Sequence, residues 1–375
     1  MPSYDFSRNP FIVIWETTRT CQLACRHCRA KAIKHRNPNE LSTYEAKQLI
    51  DQLVEMEKPL FVLTGGDPME RADLIELVRY AHQAGLIVSI TPSATPKVTF
   101  ERIAALKEAG LAHWAFSLDG STPEIHDHFR GIHGCFDLTM EKIGYLHQLD
   151  IPLQINTTVS RFNVTDLTAI AEKVSVVGAV RWSLFFLIPT GRAKLSDMLS
   201  PQEQEEVLQW LYTLRGKVPF DIKTTEGPQI RRIAALQEGR ITPAEAALRK
   251  ELRGVSRSEK PIWDGNGFLF VSHVGEVFPS GFLPVKVGNV REQPLSEIYR
   301  NAPELVALRT PTHYHGKCGW CPYNTLCGGS RARAYGVTGD FLESDPFCTY
   351  IPDPRMLSSA NRPYAEVVNS PSNQV

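Results

Sequence analysis

FIVIWETTRTCQLACRHC, residues 11–28, runs an apolar strand straight into a loop holding three cysteines, and the fold follows from how that junction is read. Residues 11–15 are β-branched and aromatic without a break, as expected of a strand buried on both faces of a parallel sheet. Cys21, Cys25 and Cys28 follow in C-x3-C-x2-C spacing. A 4Fe–4S cluster normally takes four thiolates, so three on one short loop leave one iron open to a small molecule. The competing reading is structural zinc with His27 as the fourth ligand, which the tight tether between neighbouring residues strains.

Outward from this junction, further apolar runs at 60–63, 86–90, 112–118, 153–159 and 182–188 alternate with amphipathic segments. Ser42 and Glu45 form a capping box, followed at helical spacing by Ala46, Leu49, Ile50 and Leu53. Helices over 74–84 and 100–109 end at Gly85 and Gly110. Six strand–helix units with right-handed crossovers predict an α/β fold, a partial (β/α)6-type barrel. In such sheets the chemistry gathers at the C-terminal strand ends, where the motifs below fall. Residues 201–214 read as a further helix, and 228–260 as charged, Ala-rich helices or a lid. From Gly267 short alternating strands form a hairpin turning at Gly275, and a cysteine-rich module continues to about residue 350. The expected organisation is a core over 1–227, a linking segment over 228–262, a small cysteine-rich domain over 263–352 and a solvated tail over 353–375.

The 375 residues are 42% hydrophobic, with Lys+Arg and Asp+Glu balanced at 41 each, so no basic excess points to nucleic acid. No apolar stretch reaches membrane-spanning length, and the N-terminus lacks a signal layout. Eight cysteines in a large chain, seven of them in two tight groups, point to metal or redox chemistry in the cytoplasm rather than to disulfides.

The three-cysteine loop resembles the cluster-binding signature of the radical S-adenosylmethionine (SAM) superfamily, with His27 where that family usually has an aromatic residue. The resemblance implies a 4Fe–4S cluster whose open iron chelates SAM. It also implies reductive cleavage of SAM to a 5′-deoxyadenosyl radical that takes hydrogen from a substrate, the electron coming from a donor such as flavodoxin or ferredoxin. Thr64, Gly65, Gly66 and Asp67 (TGGDP) match the glycine-rich motif that holds the SAM amino group. Ser117 and Asp119 (SLDG) and Asn156 with Thr157 (INTTV) stand at the next strand ends, where the family contacts SAM. Arg130 is a candidate for the SAM carboxylate, and PSATP (92–96) for the same cavity. Gly191 and Arg192 are candidates for the adenine side or an anionic substrate.

Cys318, Cys321, Cys327 and Cys348 follow C-x2-C-x5-C-x20-C. Four thiolates close a coordination sphere, and spacing alone divides evenly between a 4Fe–4S cluster and zinc. The stretch resembles the SPASM and twitch auxiliary-cluster modules of radical SAM enzymes. Ser280 stands where the full SPASM pattern usually has cysteine, so the resemblance implies a single auxiliary cluster. CGGSRARA with the following TGD and DP-x-C is similar to the radical SAM enzymes of haem and haem d1 biosynthesis, which act on carboxylate side chains of iron tetrapyrroles. That implies a small-molecule substrate, with a peptide as the alternative. Arg231, Arg232, Arg331 and Arg333 are candidate carboxylate forks. Cys135 reads as a small buried residue; His126, His313 and His315 are candidates to bind haem iron, although an unpaired histidine is more often structural.

Overall fold

The computed structural model describes residues 5–237 and 261–352. Its strands are β1 (Ile12–Glu16), β2 (Leu60–Thr64), β3 (Val88–Ile90), β4 (Leu111–Ser117), β5 (Leu153–Val159), β6 (Arg181–Phe186) and β7 (Asp221–Thr225). Between them run α1 (Thr43–Glu55), α2 (Leu74–Gln83), α3 (Phe100–Glu108), α4 (Pro123–Arg130), α5 (Cys135–Gln148), α6 (Leu167–Val176) and α7 (Pro201–Leu214). Both α1 and α7 open on capping boxes, Ser42 with Glu45 and Ser200 with Glu203.

Ten strands make one sheet in the order β10-β9-β8-β1-β2-β3-β4-β5-β6-β7. Strand β8 (Phe268–Val271) lies parallel to β1, while β9 (Glu276–Phe278) and β10 (Gly288–Asn289) turn back antiparallel. The hairpin therefore extends the barrel sheet at β1, with Gly275 at φ +84 in its turn. Helices α9 (Leu295–Asn301) and α10 (Pro303–Leu308) bury Leu295, Ile298, Leu305 and Leu308 in the same continuous core. Helix α8 (Gln229–Gln237) falls in the segment read as linking helices or a lid. The rest of that segment, 238–260, and the expected tail over 353–375 lie outside the described residues. Among the described residues, no helix is long and apolar enough to cross a membrane.

Two expectations change. The first is that β7 is a seventh parallel strand after the six read from apolar runs, and its Lys223 and Thr225 interrupt any such run. The second is that the later strands are not apolar on both faces. Strand β5 alternates buried and half-buried residues along its whole length. Its buried face, with that of β6, packs on helices: Trp182 meets Trp210 of α7 and Phe220 edge-on, at 6.2 and 6.1 Å between ring centroids. The other face lines the barrel lumen. Because parallel register keeps partners on one face, Ser117, Asn156, Ser183 and Lys223 form one lateral row across β4 to β7. A lumen wetted by ligand tolerates such polar residues, where a two-sided core would not.

Candidate functional site

The loop after β1 is fixed by backbone contact with the glycine turn after β2. Thr17 N donates to Thr64 O (2.8 Å), Gly66 N to Thr18 O (2.7 Å) and Asp67 N to Thr20 O (2.8 Å). A Cβ on Gly65 would lie 2.5 Å from Thr18 O, and one on Gly66 equally close to Arg19 O and Thr20 O. These glycines thus permit loop to meet loop; the reading that they bring backbone to a ligand misses this first requirement.

Three sulfurs gather on the loop. The Sγ of Cys21 accepts from Leu23 N (3.3 Å) and lies 3.8 Å from Ser93 Oγ, so PSATP does reach the site. Cys28 Sγ accepts from Ala32 N (3.4 Å), and Cys25 Sγ from Arg130 Nη1 (3.5 Å). Cys135 packs beside Cys21, Leu23 and Cys25 as a buried residue.

Arg192 is corrected from an adenine or anion contact to a brace. Its guanidinium donates to Cys25 O (3.2 Å) and Ala32 O (2.6 Å), and its amide to Cys28 O (3.0 Å). Gly191, at φ +67, passes so near Cys28 and Arg29 that a Cβ would collide with their carbonyl oxygens.

A residue that the sequence reading overlooked anchors the loop from below. Glu16 is fully buried and faces His273 Nδ1 (2.9 Å), Arg19 Nε (3.2 Å) and Arg29 Nη2 (3.3 Å). Burial alone would raise its carboxyl, but the His273 hydrogen bond and the Arg29 and Arg19 charges bring it down to about 2. The signal was available: a carboxylate closing an apolar strand in WETT.

Asp119 and Arg130 form an ion pair at 3.0 Å, and Asp119 Oδ1 also accepts from Thr158 N (2.7 Å). Expected at the cofactor, these two charges meet each other, with Arg130 passing the contact on to Cys25. Asp67 accepts from Met69 N (3.0 Å) and Thr95 Oγ1 (3.2 Å), and burial raises its carboxyl to about 6. Thr64, Ser117 and Asn156 remain half-buried at the lumen, with Asn156 Oδ1 accepting from Gln154 Nε2 at 2.7 Å. His126 Nδ1 accepts from Asp119 N (3.0 Å), and burial lowers its pKa to about 3.

The second cysteine group frames another centre beyond α8. Cys318 lies on α11 (Gly316–Trp320), and its Sγ accepts from Asp345 N (3.4 Å) and Arg331 Nη2 (3.6 Å). Cys321 and Cys327 share an apolar cluster with Tyr323 and Tyr350, while Cys348 and Cys318 both bear electrostatically on Cys321 and Cys327. Burial pushes the Cys21 and Cys321 thiols up to about 11. Such thiols give up protons when they take a metal.

The arginine forks are corrected here. Arg331 and Arg333 lie on α12 (Arg331–Thr338) with no exposed surface. Arg333 pairs with both Asp345 oxygens (2.9 and 3.0 Å). Arg331 donates to Phe341 O and Glu343 O and lies over the Tyr314 ring. Arg232 is buried against Glu205 at 2.5 Å. These three hold the protein's own loops, and only Arg231 of the four is not fully buried.

Neither cysteine set is drawn in to the spacing that a zinc ion asks. Zn–S bonds of about 2.3 Å would hold tetrahedral sulfurs roughly 3.8 Å apart. Among the described residues, the set of three His, Cys, Asp or Glu donors lying within 4.8 Å of one another is His315, Asp340 and Glu343; neither cysteine group is that tight. His27, the proposed fourth zinc ligand, instead stacks on Phe129 at 4.2 Å and 15°. All eight cysteines are free.

Residues 15–174 match the Radical SAM superfamily. The chain is 41% identical over 343 residues to an AdoMet-dependent heme synthase of Methanosarcina barkeri, covering 92% of this chain and 97% of that one. It is 29% identical to a PqqA peptide cyclase of Rhodopseudomonas palustris, covering 92% and 88%. In fold it is similar to Streptococcus suis SuiB bound to S-adenosylmethionine, with a TM-score of 0.68 at 14% identity over 92% of this chain and 78% of that one.

Proposed function

This chain belongs to the radical SAM superfamily, and from that premise we propose that it is an enzyme of haem-type biosynthesis acting on a carboxylate side chain of an iron tetrapyrrole. The family uses a 4Fe–4S cluster and SAM. The observation that carries the substrate reading is the identity to a heme synthase along nearly the whole of both chains.

In this reading Cys21, Cys25 and Cys28 hold the SAM cluster, and Cys318, Cys321, Cys327 and Cys348 an auxiliary one, within a core over 1–227 and a module over 263–352. When bound, the open cluster supplies the electron for SAM cleavage and, through it, hydrogen abstraction from the substrate. The chain's own residues bind and orient. Thr64, Gly65, Gly66, Ser117 and Asn156 offer polar groups to SAM along the strand ends. Asp67 fixes the turn that carries them, and Asp119 steers Arg130 onto Cys25. Arg192 and Glu16 keep the loop in one conformation, so the three thiolates are preorganised. In this reading the enzyme works in the cytoplasm and takes its electron from a flavodoxin or ferredoxin, a compartment that the need for reducing chemistry supports.

The test is anaerobic reconstitution with iron and sulfide, counting iron in the wild type and in the Cys21→Ala/Cys25→Ala/Cys28→Ala variant. About eight irons falling to about four, with loss of 5′-deoxyadenosine formation under dithionite and SAM, supports two four-iron clusters. Iron coproporphyrin III is then offered as substrate. Turnover of a peptide in place of the porphyrin would favour the peptide-maturing alternative, which the cyclase relative supports. A zinc-loaded wild type that leaves SAM intact would overturn the reading.

A further inference from the structure

Lys223 has no role in anything described so far. It lies in the middle of β7, and its register partner Ser183 puts it on the lumen face. Register carries that row on to Asn156 and Ser117. Strand spacing therefore sets Lys223 about 10 Å along the sheet from Asn156 and about 14 Å from Ser117. Its ammonium makes no hydrogen bond or ion pair among the described residues, although protein surrounds it closely enough for burial to lower its pKa to about 8. Half-buried by surface and desolvated by its surroundings, it has the properties of a side chain lining an internal space.

Two more cations press on it. The Arg181 and Arg231 charges both lower the Lys223 pKa further. Arg231 spends one nitrogen on Ile262 O (3.1 Å) and keeps Nη1 buried without a partner. Arg181 reaches Asp221 at 3.4 Å and leaves its Nε buried without a partner. Three cations thus meet one carboxylate on this wall, a charge imbalance that burial makes costly. Arg231 also feels Cys327, so the cationic wall adjoins the second cysteine group.

We propose that Lys223, with Arg231 and Arg181 behind it, is the lumen site that receives a carboxylate of the substrate. This rests on the tetrapyrrole reading above and deepens it. A carboxylate supplies the missing anion and restores hydrogen bonds that burial has taken from these donors. The row also separates the two ligands of the lumen. SAM belongs over Ser117 and Asn156, and the substrate's acidic edge lies across from it at β7. Lys223 serves here as a binding and positioning residue. The same carboxylate chemistry exists in SAM itself, so the experiment must distinguish the two.

The measurement uses enzyme carrying both clusters, anaerobic, without reductant. Iron coproporphyrin III and its tetramethyl ester are titrated by Soret absorbance into wild type, Lys223→Met and Lys223→Arg. Loss of one buried charge-assisted contact weakens the tetra-acid about tenfold to a hundredfold in Lys223→Met. Lys223→Arg falls between, and the ester binds wild type and Lys223→Met equally. SAM affinity, and 5′-deoxyadenosine formed under dithionite without porphyrin, stay at wild-type levels. Equal affinity of Lys223→Met and wild type for the tetra-acid overturns the inference while leaving the tetrapyrrole reading intact. So does a loss of SAM affinity in Lys223→Met, which would assign the amine to SAM. Wild type binding ester as tightly as acid overturns it with no variant needed. Wild type binding neither porphyrin removes the tetrapyrrole reading itself, and the inference falls with it.

Discussion

Replacing Glu16 by glutamine removes the one negative charge in a knot of His273, Arg19 and Arg29 while keeping the shape of the side chain. The carboxyl moves from an ordinary 4.5 to about 2, and its side chain is fully buried, so the shift needs no discount for solvent. At 1.36 kcal/mol for each pKa unit, the charge contributes about 3 kcal/mol to the folded state. For a chain of this length that is roughly 4 °C in Tm. The folded pKa is depressed, so the contribution is complete above about pH 4.5 and disappears as pH falls towards 2. Cluster-free wild type and Glu16→Gln, compared by urea unfolding, should differ by the full amount at pH 7 and converge as pH falls below 4.5. Arg19 and Arg29 flank the cysteines, so the reconstituted variant should also lose iron from the SAM cluster before the auxiliary one. A stability gap that is absent at pH 7, or that stays constant down to pH 3, would refute this account of Glu16.

Gly66→Ala places a methyl 2.5 Å from two carbonyl oxygens, so its iron should fall from about eight to about four per chain with the auxiliary signal retained; a full complement would show that the loops can part without loss. Arg333→Met strands Asp345 in a fully buried site and should destabilise the protein by roughly 3–5 kcal/mol, read as a lowered urea midpoint. Arg331 makes no ion pair among the described residues and donates to Cys318 Sγ. Arg331→Gln should therefore lower the auxiliary cluster's reduction potential in an EPR-monitored titration, and an unchanged potential would limit the arginine to packing.

Much of the architecture was legible because the physics is local. The capping box at Ser42 satisfies backbone donors within one turn, so α1 could be read from a few residues. The hairpin turning at Gly275 follows from backbone conformation at one residue. Strand β7 was missed because Ile222 is its one apolar residue, which leaves no apolar run to read. Arg192, Arg331 and Arg333 were misjudged for a related reason. A guanidinium in a loop looks the same in sequence whether it meets a ligand, solvent or a distant carbonyl.

The sequence by itself determined which thiols are candidate metal ligands, because thiol chemistry and close spacing along the chain are written in composition and order. Seven cysteines in two groups allowed few other readings, and the tight tether of the first already told against zinc. Tertiary structure decided where the charges go. Glu16 meets His273 across 257 positions and Arg192 meets Cys25 across 167, contacts that no local pattern encodes. Lys223 became a candidate only when parallel register set it in a row with Ser183, Asn156 and Ser117. Whether a buried charge is paired or left waiting for a ligand depends on what surrounds it, and those surroundings come from distant parts of the chain.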